Sequence, residues 1–281
     1  MIMNVLSKIL CLLCVAILGG QNMSAEIFTG KMEMVSFQNI DEKTIQYSSG
    51  IGYNGACKES VIVNETKTLA KNNSLQYSTL LDADAKKVVI WCEKMGEGVE
   101  MDYKTYLITF NTFVDEPRVV MNYTVPPYKY NLKQTAANLE AFGKPACFYS
   151  GTLENDNAGV SVQLEVIPSL ECTPALQCIL LYGLNVKGLP VKFRWNIDNR
   201  VEMLGQFKSY KGLEVESIDP NYTPSDSDFS IPGKVKIKRI KIWELDGFLQ
   251  KIGKYLKKNK LFPDQTGNEF IYELNEEEWS Y

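Results

Sequence analysis

Residues 160–166 read VSVQLEV and residues 191–197 read VKFRWNI, and these two stretches decide the fold. In both, apolar side chains alternate with polar ones, which is the period of a β-strand with one face on a core and the other in water. Residues 27–37 follow the same pattern, because Met32 and Met34 alternate with a lysine and a glutamate. The alternation predicts a mainly β protein with some helix, an α+β fold.

Other segments add weaker strand signals. Residues 88–92, VVIWC, form a short continuous apolar run, which is typical of a strand buried on both faces. Residues 105–110 and 118–125 are rich in threonine, tyrosine, valine and phenylalanine, the residue types that favour strands. These segments are therefore predicted to be strands as well.

One segment in the middle of the chain has the spacing of a helix. Residues 131–143 begin with Asn131, a residue that favours helix N-caps, and end with Gly143, which favours C-terminal caps. Between them Leu132, Ala136 and Leu139 recur at helical spacing. A helix is predicted near 131–143, packed against a continuous sheet formed by the strand-rich segments on either side.

A second helix is predicted to begin near Asp246. Its apolar stripe consists of Leu245, Phe248, Leu249, Ile252 and Leu256, and its flanking cations are Lys251, Lys254, Lys257 and Lys258. Such an amphipathic helix needs a surface to lie on, and the protein's own sheet is preferred here over a membrane surface. Just before it, the apolar alternation changes phase at 238–239, which indicates a bulge or a strand end.

The N-terminus has the pattern of a secretory signal peptide. Lys8 precedes an apolar run from Ile9 to Gly20, and the small residues Ser24 and Ala25 offer a cleavage point. The run is shorter than the roughly 20 residues that a membrane-spanning helix needs. We therefore expect residues 1–25 to be a signal peptide and the protein to be exported to the periplasm or cell envelope, or alternatively secreted.

After the signal, the chain divides into two unequal parts. Residues 26–245 are predicted to form a single β-rich domain, and residues 246–281 a basic amphipathic helix with an acidic tail. Residues 233–260 carry 10 basic and 2 acidic side chains, a net charge of +8, whereas residues 261–281 carry 6 acidic and no basic ones. The basic segment Lys234–Lys260 is a surface for an acidic partner or anionic lipid, or a solvated face that the tail neutralises. Nucleic acid is not expected as a partner of an exported acidic protein.

Five cysteines follow the signal segment, and an exported chain makes disulfides the first interpretation. The turn-like segment 173–177 favours a bridge between Cys172 and Cys178. Cys57 and Cys92 are the second expected pair, which leaves Cys147 over. Zinc is a weaker alternative, because a C-x-x-C motif is missing after the signal and the chain contains no histidine.

The missing histidine also limits catalysis. It excludes Ser-His and Cys-His nucleophilic sites and histidine metal sites. No phosphate-loop, dinucleotide-binding or nucleophile-elbow motif occurs, and no spacing singles out two carboxylates for a hydrolase. We expect a protein that is not an enzyme and has neither a cofactor nor a metal.

The second half of the chain carries a family resemblance. GLPVKF at residues 188–193, two expected strands at 201–207 and 213–218, and the final pattern Pro220, Pro224, DF at 228–229 and IP at 231–232 resemble the end of the outer-membrane lipoprotein carriers (LolA-like proteins) and related envelope proteins. Residues 143–149, with Cys147, are similar to a strand found upstream in some relatives.

The resemblance implies a curved antiparallel sheet, a half-barrel wrapped around helices, with a concave face that holds acyl chains or a hydrophobic peptide. It implies a non-enzymatic envelope protein that binds a lipid, a lipoprotein or another apolar ligand. The candidates for lining such a cavity are Met32, Met34, Phe193 and Trp195, although filling a core is the commoner duty of such side chains. The alternative is an interaction or structural protein with a filled core, which contacts an acidic partner through Lys234–Lys260.

Overall fold

The computed structural model describes residues 25–40, 51–111, 118–120, 123–125, 129–154, 158–180, 184, 186–199 and 207–263. The first half contains β1 (Glu26–Ile27), β2 (Gly30–Ile40), β3 (Gly55–Val63), β4 (Lys67–Asn72), β5 (Tyr77–Asp82), β6 (Lys87–Cys92), β7 (Glu97–Asp102), α1 (Tyr103–Asn111), β8 (Arg118–Val120) and β9 (Tyr123–Val125). The second half contains β10 (Lys129–Ala141), β11 (Lys144–Glu154), β12 (Ala158–Ile167), β13 (Leu170–Glu171), α2 (Pro174–Leu180), β14 (Leu189–Asn199), β15 (Phe207–Asp219), β16 (Lys236–Arg239), a short 3₁₀ turn (Ile242–Glu244) and α3 (Leu245–Lys258). The predicted signal peptide, apart from Ala25, and the acidic tail from residue 264 lie outside the described residues.

The fold is mainly β, as predicted. Twelve strands form one sheet in the order β10-β11-β12-β14-β15-β2-β3-β4-β5-β6-β7-β16. Neighbours in this sheet are antiparallel except β16, which runs parallel to β7, so the sheet is mixed rather than purely antiparallel. Over the described residues the sheet is not closed, and its edge strands are β10 and β16.

Strands β2 and β15 join the two halves of the chain. They pair antiparallel from Lys31 opposite Asp219 to Ile40 opposite Ser209. The two strands approach closely at Gly212, because a Cβ atom built on this glycine would lie 2.2 Å from the Phe37 ring. The ring therefore occupies the space that a side chain at position 212 would need. Both strand-rich halves therefore belong to one continuous sheet.

The helix predicted near 131–143 is wrong, because this segment is strand β10. It pairs with β11 in a hairpin whose turn residues, Phe142 and Gly143, both have positive φ (51° and 70°), as a two-residue primed turn requires. The register shifts between Gln134 and Ala136 and again before Leu139. Such irregularities insert extra residues into a strand and change its phase. Leu132, Ala136 and Leu139 are therefore four and three residues apart, which is the spacing of a helix, although they lie in a strand.

Helices α1 and α2 lie in segments for which the sequence predicted a strand and a turn. Residues 105–110, expected to be a strand, lie in α1, whose first turn is capped by Asp102, since Oδ1 accepts hydrogen bonds from both the backbone N–H and the hydroxyl of Thr105. The expected turn at 173–177 opens α2. Its N-terminus is capped by Thr173, whose Oγ1 accepts from the Leu176 N–H at 3.1 Å, and Pro174 occupies the first helical position.

The apolar core lies mainly on the side of the sheet that carries the helices, here called the helix face. On this face Met34, Glu59, Asn72, Tyr77 and Cys92 are successive cross-strand neighbours from β2 to β6. Helix α2 lies between two clusters, because Leu176 and Leu180 pack with β12 to β15 while Ala175 and Cys178 pack with β3 to β7. On the opposite face, Phe229 covers a third cluster that includes Trp91.

Helix α3 lies on the protein's own sheet, as preferred from the sequence. The buried side chains of its apolar stripe are Leu245, Phe248, Ile252 and Leu256. The helix packs so closely that a Cβ on Gly253 would lie 2.1 Å from the carbonyl oxygen of Ile51. The phase change at 238–239 coincides with the end of β16. No helix among the described residues is long and apolar enough to cross a bilayer.

The two glycines of α3 give a matched test of this docking. Gly247 is exposed with no atom within 4 Å of a built Cβ, so Gly247→Ala should stabilise the fold by about 0.5–1 kcal/mol through helix propensity. Gly253→Ala should instead destabilise it by about 1–3 kcal/mol, because the helix must move away from Ile51. Urea unfolding of both variants measures the difference. Equal stabilisation by the two substitutions would contradict the close approach.

Candidate functional site

The four cavity candidates from the sequence all belong to the packed core. Met32, Met34, Phe193 and Trp195 have exposed fractions of 0, 2, 1 and 5%. The rings of Phe193 and Trp195 meet edge to face at 5.8 Å, a favourable aromatic contact. Of the four, Phe193 also lines a cavity. The half of the helix face that these residues form is therefore filled by protein.

Open space lies further along the helix face, beneath α3. Two adjacent cavities of about 280 and 210 Å³ share Glu59, Asn72, Tyr77 and Leu249 in their walls. The larger is also bordered by Phe193, Lys211 and the segment 51–53, and the smaller by side chains of α1 and α2. We call the two together the inner cavity. Its walls combine apolar side chains with a few convergent polar groups, the usual composition of a small-ligand site.

Glu59 is the acidic group common to both parts of the inner cavity. One of its carboxylate oxygens accepts hydrogen bonds from the Ser36 hydroxyl and from the Asn72 amide, the latter at 3.0 Å. Asn72 is itself held in place, since its Oδ1 accepts from the Leu75 N–H at 2.7 Å. Burial raises the pKa of Glu59 above its usual range, and the two hydrogen bonds only partly oppose that rise.

Lys211 brings a cation to the same cavity from β15. It lies opposite Gln38 of β2 and Trp195 of β14, and it shares its strand phase with the buried Leu213. Burial lowers the pKa of Lys211, because the charged form loses hydration. Among the described residues it has no hydrogen bond or ion pair.

The cysteines do not form the expected bridges in this structure. All five after the signal segment are free thiols. Cys57 on β3 and Cys92 on β6 are three strand spacings apart, about 14 Å along the sheet, whereas a disulfide needs Cα atoms within roughly 7 Å. Cys172 precedes α2 and packs against one core cluster, while Cys178 on the helix is buried in the other.

Burial also governs the chemistry of these thiols. It raises the pKa of Cys57, Cys172 and Cys178 to about 12 each. A thiol with so high a pKa stays protonated near neutral pH and is a poor nucleophile. Cys57 therefore contributes a weakly polar, unreactive group to the wall of the inner cavity.

The predicted basic surface lies on the outer side of α3 and along β16. Lys254, Lys257 and Lys258 are exposed, whereas Lys251 forms an ion pair with Glu97 of β7. All four residues of β16, Lys236–Arg239, are exposed as well. The basic surface therefore faces solvent.

An aromatic side chain stands within the basic surface. Trp243, in the 3₁₀ turn before α3, is 71% exposed, and the Lys241 ammonium lies 4.8 Å from the centre of its ring. Ile237 of β16 is also exposed, at 38%. An exposed tryptophan beside cations is the combination found where proteins meet the interfacial layer of a membrane.

Sequence reasoning missed Glu59, Asn72 and Lys211, although the strands contained a usable signal. In β3 the residues Cys57, Glu59, Val61 and Val63 share one phase, and in β15 Lys211 shares the phase of Leu213. A charged residue within an otherwise apolar phase indicates either a solvated strand end or a polar group that faces the core. Only the neighbouring strands, known from the fold, decide between these two cases.

The comparisons with known proteins leave the function to be argued from this geometry. No family model matches the chain, and no curated protein matches it. In the part of the chain that the structure describes, no cluster of three or more cysteine, aspartate or glutamate side chains is arranged to hold a metal ion.

Glu59 should make the stability of the protein depend on pH. A carboxyl whose pKa is higher in the folded than in the unfolded state destabilises the fold as the pH rises above the unfolded value, about 4.3. Glu59→Gln keeps an oxygen for Ser36 and Asn72 but cannot ionise. It should be more stable than the wild type at neutral pH, and this advantage should vanish at acidic pH.

Urea unfolding at a series of pH values checks this expectation. The matched control is Glu216→Gln, which removes an exposed carboxyl from β15. An advantage of Glu59→Gln that stayed constant from acidic to neutral pH would contradict the role of burial.

Proposed function

We propose that this is a non-enzymatic, exported binding protein that holds an amphipathic ligand in the inner cavity. The observation that carries the proposal is the space beneath α3, where apolar side chains surround a few polar groups on the helix face. In this proposal the sheet bends around its helices as a half-barrel, the arrangement that the resemblance to lipoprotein carriers implies.

The size of the inner cavity limits the ligand. Its larger part, about 280 Å³, is close to the lower end of the roughly 300–1,000 Å³ typical of small-molecule sites. Phe193, Leu75 and Leu249 supply apolar wall, so the bound portion of the ligand has an apolar part of modest length. A whole lipoprotein would bind through one short chain rather than enter completely.

The wall chemistry supports binding rather than catalysis. Cys57, the thiol in the larger part, is held protonated by a pKa of about 12. Glu59 has its hydrogen-bonding oxygen occupied by Ser36 and Asn72, which favours a fixed structural position over proton transfer. A ligand would therefore be bound and released unchanged.

Filling the cavity tests this function. Leu249 projects from α3 into both parts, so Leu249→Trp should occupy the space and weaken binding of a fluorescent fatty-acid probe by roughly tenfold or more. Gln250→Trp adds the same ring to the exposed side of the helix and should leave the affinity unchanged. Fluorescence titration of delipidated protein gives both values, and thermal unfolding confirms that the variants are folded.

Two results would reject the proposal. One is a wild-type protein that takes up no probe after lipid extraction. The other is equal affinity of the wild type and a folded Leu249→Trp protein, since probe binding would then lie elsewhere on the surface.

A second candidate function is contact between the basic surface and an anionic lipid bilayer. It is favoured by the exposed Trp243 ring with Lys241 beside it, and by the exposed cations of β16 and α3. The buried stripe of α3 is already used by the sheet, so the helix would lie against the lipid headgroups through its lysines rather than insert.

Vesicle sedimentation tests this contact. Reversal of three exposed charges, in Lys254→Glu/Lys257→Glu/Lys258→Glu, should abolish binding to anionic vesicles, and Trp243→Ala should weaken it by roughly tenfold. Lys133→Glu, an exposed change on the far edge strand β10, should have no effect. Binding that survives the triple reversal, or equal binding to neutral vesicles, would exclude this function.

A further inference from the structure

Lys211 is an unusual residue for the place it occupies. Strand β15 presents Leu213 and Val215 to the packed core, and Lys211 continues the same phase two residues earlier. Its neighbours across the sheet, Gln38 and Trp195, carry no charge. The side chain therefore enters the inner cavity from the helix face, beside Phe193.

Among the residues that the structure describes, none pairs with this cation. A lysine on the opposite face of the adjacent strand, Lys192, forms an ion pair with Glu214 at 3.3 Å, but the described residues supply no such carboxylate to Lys211. The hydrogen-bonding oxygen of Glu59 is already engaged by Ser36 and Asn72. Lys211 is partly buried, and partial burial of an ammonium group without a counter-charge is unfavourable, so an anion that reaches this position gains from pairing with it.

The surroundings of Lys211 define the rest of the ligand. Gln38 lies opposite Lys211 and also lines the cavity; its amide donates one hydrogen bond to the Tyr53 carbonyl and has a second N–H to offer a ligand. The same wall carries the apolar side chains of Phe193, Leu75 and Leu249. The cavity thus combines one cation with apolar wall in a space of about 280 Å³.

We propose that the inner cavity selects an amphipathic monocarboxylate, whose carboxylate pairs with Lys211 while its apolar chain lies against Phe193 and Leu249. This inference rests on the proposed binding function and adds the class of ligand. A single negative charge fits best, because one cation neutralises one anion and Lys211 is the one lysine or arginine among the described residues that line the larger part of the cavity.

The test compares a medium-chain fatty acid with the alcohol of the same chain length, by isothermal titration of the delipidated full chain. The wild type should bind the acid at least tenfold more tightly than the alcohol. Lys211→Met removes the charge but keeps an unbranched apolar side chain, so it should bring the affinity for the acid down to that for the alcohol. Lys211→Arg, which keeps the cation, should preserve the preference.

Lys58→Met is the matched control, since Lys58 is exposed on β3 outside the cavity wall, and it should leave both affinities unchanged. If the wild type binds acid and alcohol equally, or if Lys211→Met keeps the preference, the inference fails while the binding function stands. If neither compound binds the wild type, the binding function fails and the inference with it. Loss of the preference in Lys58→Met would also overturn the assignment to Lys211.

Discussion

The antiparallel pairing of β2 with β15 is the contact on which the rest of the structure depends. It joins residues near position 35 to residues near position 214. The chain therefore loses the conformational entropy of a very long loop before the hydrogen bonds between the two strands form. Without it, the twelve-stranded sheet would divide into one sheet from β10 to β15 that omits β13 and another from β2 to β7 with β16. Gly212 makes the pairing close, because its missing side chain leaves room for the Phe37 ring. The inner cavity lies beside this junction, with Lys211 on one strand and Ser36 on the other.

A sheet this wide exposes more apolar surface on its helix face than one helix can cover. Among the described residues three helices cover it, two between strands and α3 after β16, and α2, the shortest, fills the middle with Leu176 and Leu180 fully buried. The helices pack tightly on the strand positions that are apolar. They pack less tightly where Glu59 and Asn72 interrupt the apolar positions. Burial disfavours the charged forms of both Glu59 and Lys211, so these residues weaken the fold. Such a cost is typical of residues retained for a function rather than for packing.

The sequence predicted those elements whose period reflects packing on one face. Strands β12 and β14 and helix α3 follow this rule, because each has a single apolar side. Strand β10 was wrongly predicted to be a helix, because its bulges replace the two-residue period of apolar side chains with spacings of four and three residues. Its strand structure depends on its pairing with β11, which the periodicity does not reveal. Helices α1 and α2 are short and largely apolar, and at that length a helix differs from a strand mainly by its cap, here Asp102 and Thr173.

The candidate site was less predictable than the fold, for a physical reason. Its members come from β2, β3, β4, β15 and α3, so their meeting depends on a strand order that periodicity does not specify. The same reason explains why the predicted Cys57–Cys92 bridge is wrong, because these cysteines share a face but are separated by two intervening strands. Helix α3 links the two proposed surfaces, with Leu249 on the cavity and Lys254 in solvent. Since Gly253 rests against the Ile51 carbonyl, any displacement of α3 by a partner would loosen the wall formed by residues 51–53 as well.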